Sequence, residues 1–304
     1  MKMFVTGVGG RILLAVTLLF CSANPAHSQS SASSTSSDSS SFHSSVTWYT
    51  WFERIPEDWS EWGTVSFRSD QVNTWVGVGI STAVLFAADD AIYSPSQRLY
   101  ETSPTAKRWA DIFAAVGDGR TQFALAGAYA AYGLLWKDGK AFGTGSEIVE
   151  AVLASGGVVQ VLKHVTGRES PYVRSKPTGR WSFFPNQVDY HRYVPYFDAF
   201  PSGHICTSIA TVIVIAENYP GVSWARPVGY AVTTLVGIGM GTNGIHWYSD
   251  YPLGLFIGYT FGMVAAHPEW YAEGKSGDAG KMELSVLPTY SVERGTGISF
   301  SVRF

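Results

Sequence analysis

The chain has 304 residues, enough for one large domain or two small ones. Hydrophobic residues make up 46% of it and charged residues only 15%, against roughly 25% in an ordinary soluble domain, so it can bury a large core or lie in or near a bilayer. Its formal net charge of -3 excludes the basic excess on which a nucleic-acid binder depends.

Residues 1–28 read as a secretory signal: Lys2 and Arg11 precede the apolar run Ile12 to Phe20, and Ala26-His27-Ser28 offers small residues where cleavage is determined. That run is too short for a bilayer span, which takes roughly 20 residues. Removal of the signal takes Cys21 with it and leaves Cys206, so no intramolecular disulfide is expected. Cys206 stands in an apolar stretch and reads as core. Residues 29–46 form a serine-rich linker with almost nothing to bury.

A helical domain is expected over 47–270. After a tryptophan-rich lead-in come six apolar segments of helical length, at about 71–90, 109–136, 146–164, 203–218, 225–246 and 251–266. Clusters such as Tyr93-Ser94-Pro95-Ser96-Gln97 separate them. The third and fourth are joined by a long insert, 165–202, of the kind that is usually functional. Residues 271–304 alternate apolar and polar positions on either side of Glu293-Arg294-Gly295-Thr296-Gly297. They predict a β-hairpin with Ile298, Phe300, Val302 and Phe304 on one face. The expected fold is thus all-α, a six-helix bundle with a C-terminal β-hairpin.

Charge placement bears on the membrane. In an up-and-down bundle the 1–2, 3–4 and 5–6 connections share one end, which holds Arg98, Lys107, Arg108, Arg120, Arg168, Arg174, Lys176, Arg180 and Arg192. A spanning bundle turns its basic end to the cytoplasm, whereas a secreted chain needs its active end outside. A periplasmic or membrane-surface bundle fits this better, with a multi-pass bundle left open.

Three stretches fall at that same end: Lys163 to Pro171 closing the third helix, Pro201-Ser202-Gly203-His204 opening the fourth, and His246 to Asp250 between the fifth and sixth. Ser202 and Gly203 stand where free N–H groups and the helix dipole favour an anion, and Lys163 and Arg168 add positive charge. One histidine can attack phosphorus while another protonates the leaving oxygen. Asp250, four residues after His246, is in position to hold its Nδ1–H. His164 reads as a bystander. No Cys/His cluster has metal-ligand spacing, so neither metal nor cofactor is expected.

Over about 71–266 these residues resemble the type-2 phosphatidic acid phosphatase superfamily, which includes bacterial acid phosphatases and vanadium haloperoxidases and carries the pattern Lys-x6-Arg-Pro, Pro-Ser-Gly-His, Ser-Arg-x5-His-x3-Asp. The resemblance implies His246 as nucleophile, Asp250 as its partner and His204 as general acid, with Lys163 and the backbone at Ser202 and Gly203 holding phosphate oxygens. Two family arginines are absent: the first falls on Ser170, and the Ser-Arg pair falls on Gly239-Met240. Neither Ser nor Met can clamp a phosphate bidentately. Arg168 is the candidate substitute, with Arg174, Arg180 and Arg192 as further cations of the insert. The expected function is an exported phosphatase acting on phosphomonoesters or diphosphates, envelope lipids above all, through a phosphohistidine. The alternative is a weak or inactive relative that binds a lipid headgroup or anion. The expected partners are a phosphorylated lipid or small phosphoester and a membrane surface.

Overall fold

The computed structural model describes residues 50–267 and the backbone of 283–291 and 295–303. The expected signal, 1–28, and the serine-rich linker, 29–46, lie outside the described residues.

Nine α-helices occur among the described residues, and they correct the expected six-helix bundle. They are α1 (Thr50–Ser66), α2 (Val72–Thr102), α3 (Pro104–Gly117), α4 (Gly119–Trp136), α5 (Gly139–Thr166), α6 (Gln187–Arg192), α7 (Gly203–Asn218), α8 (Ala225–Thr242) and α9 (Tyr251–Ala266). The count rises for three local reasons. The lead-in is helical, docked by the Trp59 indole on the Ala154 carbonyl (2.9 Å) and the Trp62 indole on Thr260 Oγ1 (2.8 Å). The segment 109–136 divides at Asp118, whose extended backbone and carboxylate cap α4 by accepting the Arg120 N–H. The insert contributes α6, capped by Asn186.

The break expected at Tyr93–Gln97 is absent. Helix α2 continues through Pro95, although an interior proline removes a backbone hydrogen bond. Ile92 and Tyr93 are buried there, and Arg174 lies over the Tyr93 ring, so tertiary packing outweighs the local signal.

No strand element occurs within 50–267, so the fold class is helical and the hairpin expected at 271–304 is no part of it. Beyond that region, β1 (Glu283–Ser291) and β2 (Gly295–Arg303) pair antiparallel, with Val286 opposite Phe300. The apolar face expected for Ile298, Phe300, Val302 and Phe304 lies outside the described side chains.

The core is centred where α5, α7 and α9 meet, around Val159, Cys206, Ile209, Ile213, Phe256, Ile257 and Phe261. Helix α9 presents Gly254, Gly258 and Gly262, one per turn, to α7. A Cβ at Gly258 would lie 2.1 Å from the Cys206 carbonyl oxygen, so only glycine permits this approach. On the outside, α2 exposes Val72, Val76, Ile80 and Val84 at helical spacing, and α4 exposes Leu134, Leu135 and Trp136. Two helical stretches, Ser69–Thr102 and Gly139–Thr166, are long and apolar enough to cross a membrane by length and composition.

Candidate active site

Helix order brings three stretches to one end. Helix α5 delivers Lys163 in its last turn and stops at Gly167, which takes the left-handed conformation (φ 53°) and caps by donating its N–H to the Lys163 carbonyl. Helix α7 begins with Gly203 and His204 behind the cap Ser202. The turn between α8 and α9 carries His246 and Asp250, and α9 is seated on α7 by its glycines.

His246 is buried, and its Nδ1 lies 2.7 Å from the Ala199 carbonyl oxygen. A carbonyl can only accept, so Nδ1 carries the proton and Nε2 keeps its lone pair. Burial, with Lys163 nearby, pushes the imidazole down to about 3, so it is neutral at physiological pH. Asp250 Oδ2 stands 3.6 Å from Nδ1, beyond hydrogen-bond length. The aspartate is bonded elsewhere: Oδ2 accepts the Trp247 N–H at 2.8 Å, and Oδ1 accepts Arg168.

The His204 ring faces His246 edge-on, with centroids 5.5 Å apart. Burial, together with His246 and Lys163, pushes His204 down to about 3, while Asp118 opposes that shift. The turn bearing Asp118 lies against α7: a Cβ at Gly117 would be 3.4 Å from the His204 Cβ. Lys163 is buried with its ammonium at the start of α7, where a Cβ at Gly203 would be 3.8 Å from Nζ. The first-turn N–H groups of α7 at Gly203 and His204 have no partner within the helix by its geometry. Those of Ser202 are taken: its N–H donates to the Asp250 carbonyl at 3.0 Å, and its hydroxyl accepts the Ile205 N–H at 3.4 Å. Ser202 thus ties α7 to the His246 turn.

Arg168 does not face the gap between the two imidazoles. It is fully buried, and its guanidinium donates to Asp250 Oδ1, Asp89 Oδ2 (2.7 Å), Ser249 Oγ (2.7 Å) and the Thr178 carbonyl (2.9 Å). Phe86, Trp181 and Trp247 surround it, with ring centroids 4.9–5.2 Å from Cζ. The arginine expected to hold phosphate is instead the hub joining α2, the insert and the His246–Asp250 turn. Arg174 and Arg180 pair with Asp90 and Glu169.

The positions of the two absent arginines are filled in other ways. Met240 is buried with Ala114, Ile205, Val236 and Tyr251, an apolar setting. Ser170 is buried, and its N–H donates to the Pro195 carbonyl. His164 bonds the Gln160 carbonyl and stacks on Tyr190 (centroids 4.0 Å apart), away from the histidine pair. Cys206 is a buried core residue.

Sequence reasoning missed Asp89, Asp118, Asp198 and the Ala199 carbonyl. Asp198 Oδ2 lies 3.6 Å from Lys163 Nζ. Its one available signal was its place three residues before Pro201-Ser202-Gly203-His204. Among the described residues no group of three or more His, Cys, Asp or Glu side chains is arranged to hold a metal ion.

Residues 145–273 match the PAP2 superfamily, a span containing Lys163, Ser202, Gly203, His204, His246 and Asp250. Among solved structures, this chain is similar to one titled as the crystal structure of the first transmembrane PAP2 type phosphatidylglycerolphosphate phosphatase from Bacillus subtilis. The identity is 15% and the TM-score 0.45, over 66% of this chain and 96% of that one. No curated protein matches.

Proposed function

We propose that this chain, whose residues 145–273 match the PAP2 superfamily, is a phosphatase acting on phosphorylated lipids of the cell envelope through a phosphohistidine on His246. One observation carries the reading: His246 donates Nδ1–H to the Ala199 carbonyl, which leaves Nε2 as a lone pair in a site shared with His204 and Lys163.

The chemistry follows from these groups. Phosphate enters at the start of α7, where N–H groups and the helix dipole meet Lys163. The His246 Nε2 attacks phosphorus in line, and the bond to the leaving oxygen breaks. His204 gives that oxygen a proton. The imidazole is neutral in the empty site, and the arriving negative charge raises its proton affinity. A water, deprotonated by His204, then releases phosphate from His246. Lys163, Ser202 and Gly203 form the anion end, with Ser202 acting through the helix cap, and Asp250 and Arg168 hold the frame around His246.

The exposed aliphatic faces of α2 and α4 favour a lipid substrate and a membrane-embedded or membrane-bound domain, and the expected signal at 1–28 favours export. A second reading, anion or headgroup binding with little turnover, is favoured by Ser170 and Met240 and by the inward-facing Arg168. Phosphate release from a panel of lipid phosphates and diphosphates by the purified chain separates the two. Release that disappears in His246→Ala supports the enzyme; equal release by both proteins removes His246 as nucleophile; no release with retained phosphate binding supports the second reading.

A further inference from the structure

Lys163 is the cation at the anion end, and it already has a counter-charge. Its ammonium lies 3.6 Å from Asp198 Oδ2; the lysine side chain is 7% exposed and the aspartate side chain 30%. The same ammonium faces Gly203 at the start of α7, where a phosphate oxygen would be held. Asp198 is fixed there by its neighbours: the Ala199 N–H donates to the Arg168 carbonyl at 3.0 Å, and the Ala199 carbonyl holds His246. The other charges close by do not restore a cationic site. Arg168 is spent on Asp89 and Asp250, Ser170 and Met240 are uncharged, and Arg120 is turned onto Asp118. A phosphate dianion approaching Lys163 therefore meets a carboxylate already in ion-pair range of that lysine.

We propose that Asp198 is a specificity-determining residue. It occupies the Lys163 ammonium in the empty site and opposes a second anion there, so free phosphate and small dianionic monoesters bind weakly. Phosphates attached to a lipid tail are selected because apolar contact supplies what the anion end withholds. The same opposition favours departure of the product phosphate. This rests on the phosphatase reading for the place of the anion.

The test is binding of inorganic phosphate and of orthovanadate to the full chain in detergent, measured by calorimetry, for the wild type, Asp198→Asn and Asp198→Ser. Removing the carboxylate is expected to tighten both anions about tenfold, and adding Lys163→Met to Asp198→Asn is expected to abolish the gain. In kinetics, KM for a small soluble monoester should fall with little change in kcat, while KM for a long-chain lipid phosphate should move less. Unchanged or weaker anion binding in both folded single variants overturns the proposal. So does failure of both to fold, which would make Asp198 a structural prop. If the wild type hydrolyses lipid phosphates and the variants bind anions no better, this proposal alone fails. If no protein turns over substrate but the variants bind anions more tightly, the catalytic reading fails and the counter-charge stands.

Discussion

Nδ1 of His246 lies 2.7 Å from the Ala199 carbonyl oxygen and 3.6 Å from Asp250 Oδ2, so the main chain holds this imidazole and the carboxylate does not. Asp250→Asn is therefore expected to leave the tautomer intact. The ring 15N shifts of His246 should still report a protonated Nδ1 and a bare Nε2, while the melting temperature falls because an amide keeps only one of the two oxygens that accept Arg168 and the Trp247 N–H, and removes the charge opposite Arg168. Inverted ring shifts would return the orienting role to Asp250.

His204 faces His246 from the opening turn of α7 and is the proton donor in the proposed reaction. His204→Gln should slow hydrolysis of an alkyl phosphate by about 10²–10⁴-fold, the usual range for a lost general acid. In the first step alone, read as the burst of leaving group before phosphate release, the loss should be much smaller for p-nitrophenyl phosphate, whose leaving group needs no proton, while the water step slows alike for both. An equal loss of burst rate on both substrates would mean that His204 is not the proton donor.

Arg168 joins Asp89 on α2 to Asp250 on the turn before α9 with no solvent exposure. Removing one member of such a buried group leaves an uncompensated charge and costs about 3–5 kcal/mol. Arg168→Met should accordingly lower the melting temperature sharply. Asp89→Asn, which still accepts through its amide oxygen, should lower it less. An Arg168→Met variant that melts like the wild type but binds phosphate poorly would instead make Arg168 a phosphate ligand.

Both site imidazoles have folded-state values depressed from 6.5 to about 3. The unfolded chain therefore binds more protons than the folded chain across that interval. The stability these groups contribute is fully present above pH 6.5 and is lost as pH falls toward 3. Thermal melts of the wild type should show this decline, and His204→Gln with His246→Gln should flatten it. A slope unaffected by the double substitution would assign acid lability to other groups.

Much of the site was legible in the linear order of the residues because each contribution is local to a helix end. Lys163 precedes a glycine stop, His204 follows a serine cap, and His246 lies in a turn between two apolar runs; counting helices is enough to bring all three to one end. The role of Arg168 was hidden because its partners, Asp89 and Asp250, are 79 and 82 residues away, and a lone arginine looks the same whether it faces ligand or core. Asp198 and Ala199 were hidden because the path of the 165–202 insert follows from tertiary packing and has no periodicity. The helix count failed where apolar continuity concealed a cap, at Asp118, and where amphipathic lead-in residues had no long apolar run to announce them.

The glycine row on α9 has a mechanical consequence. With Gly254, Gly258 and Gly262 in close contact with α7 and its cap Ser202, any side chain added at these positions would force the two helices apart. His204, in the first turn of one helix, and the turn that leads into the other are thereby set side by side by backbone contact, so a substitution at Gly258, far from either imidazole, is transmitted to the distance between them.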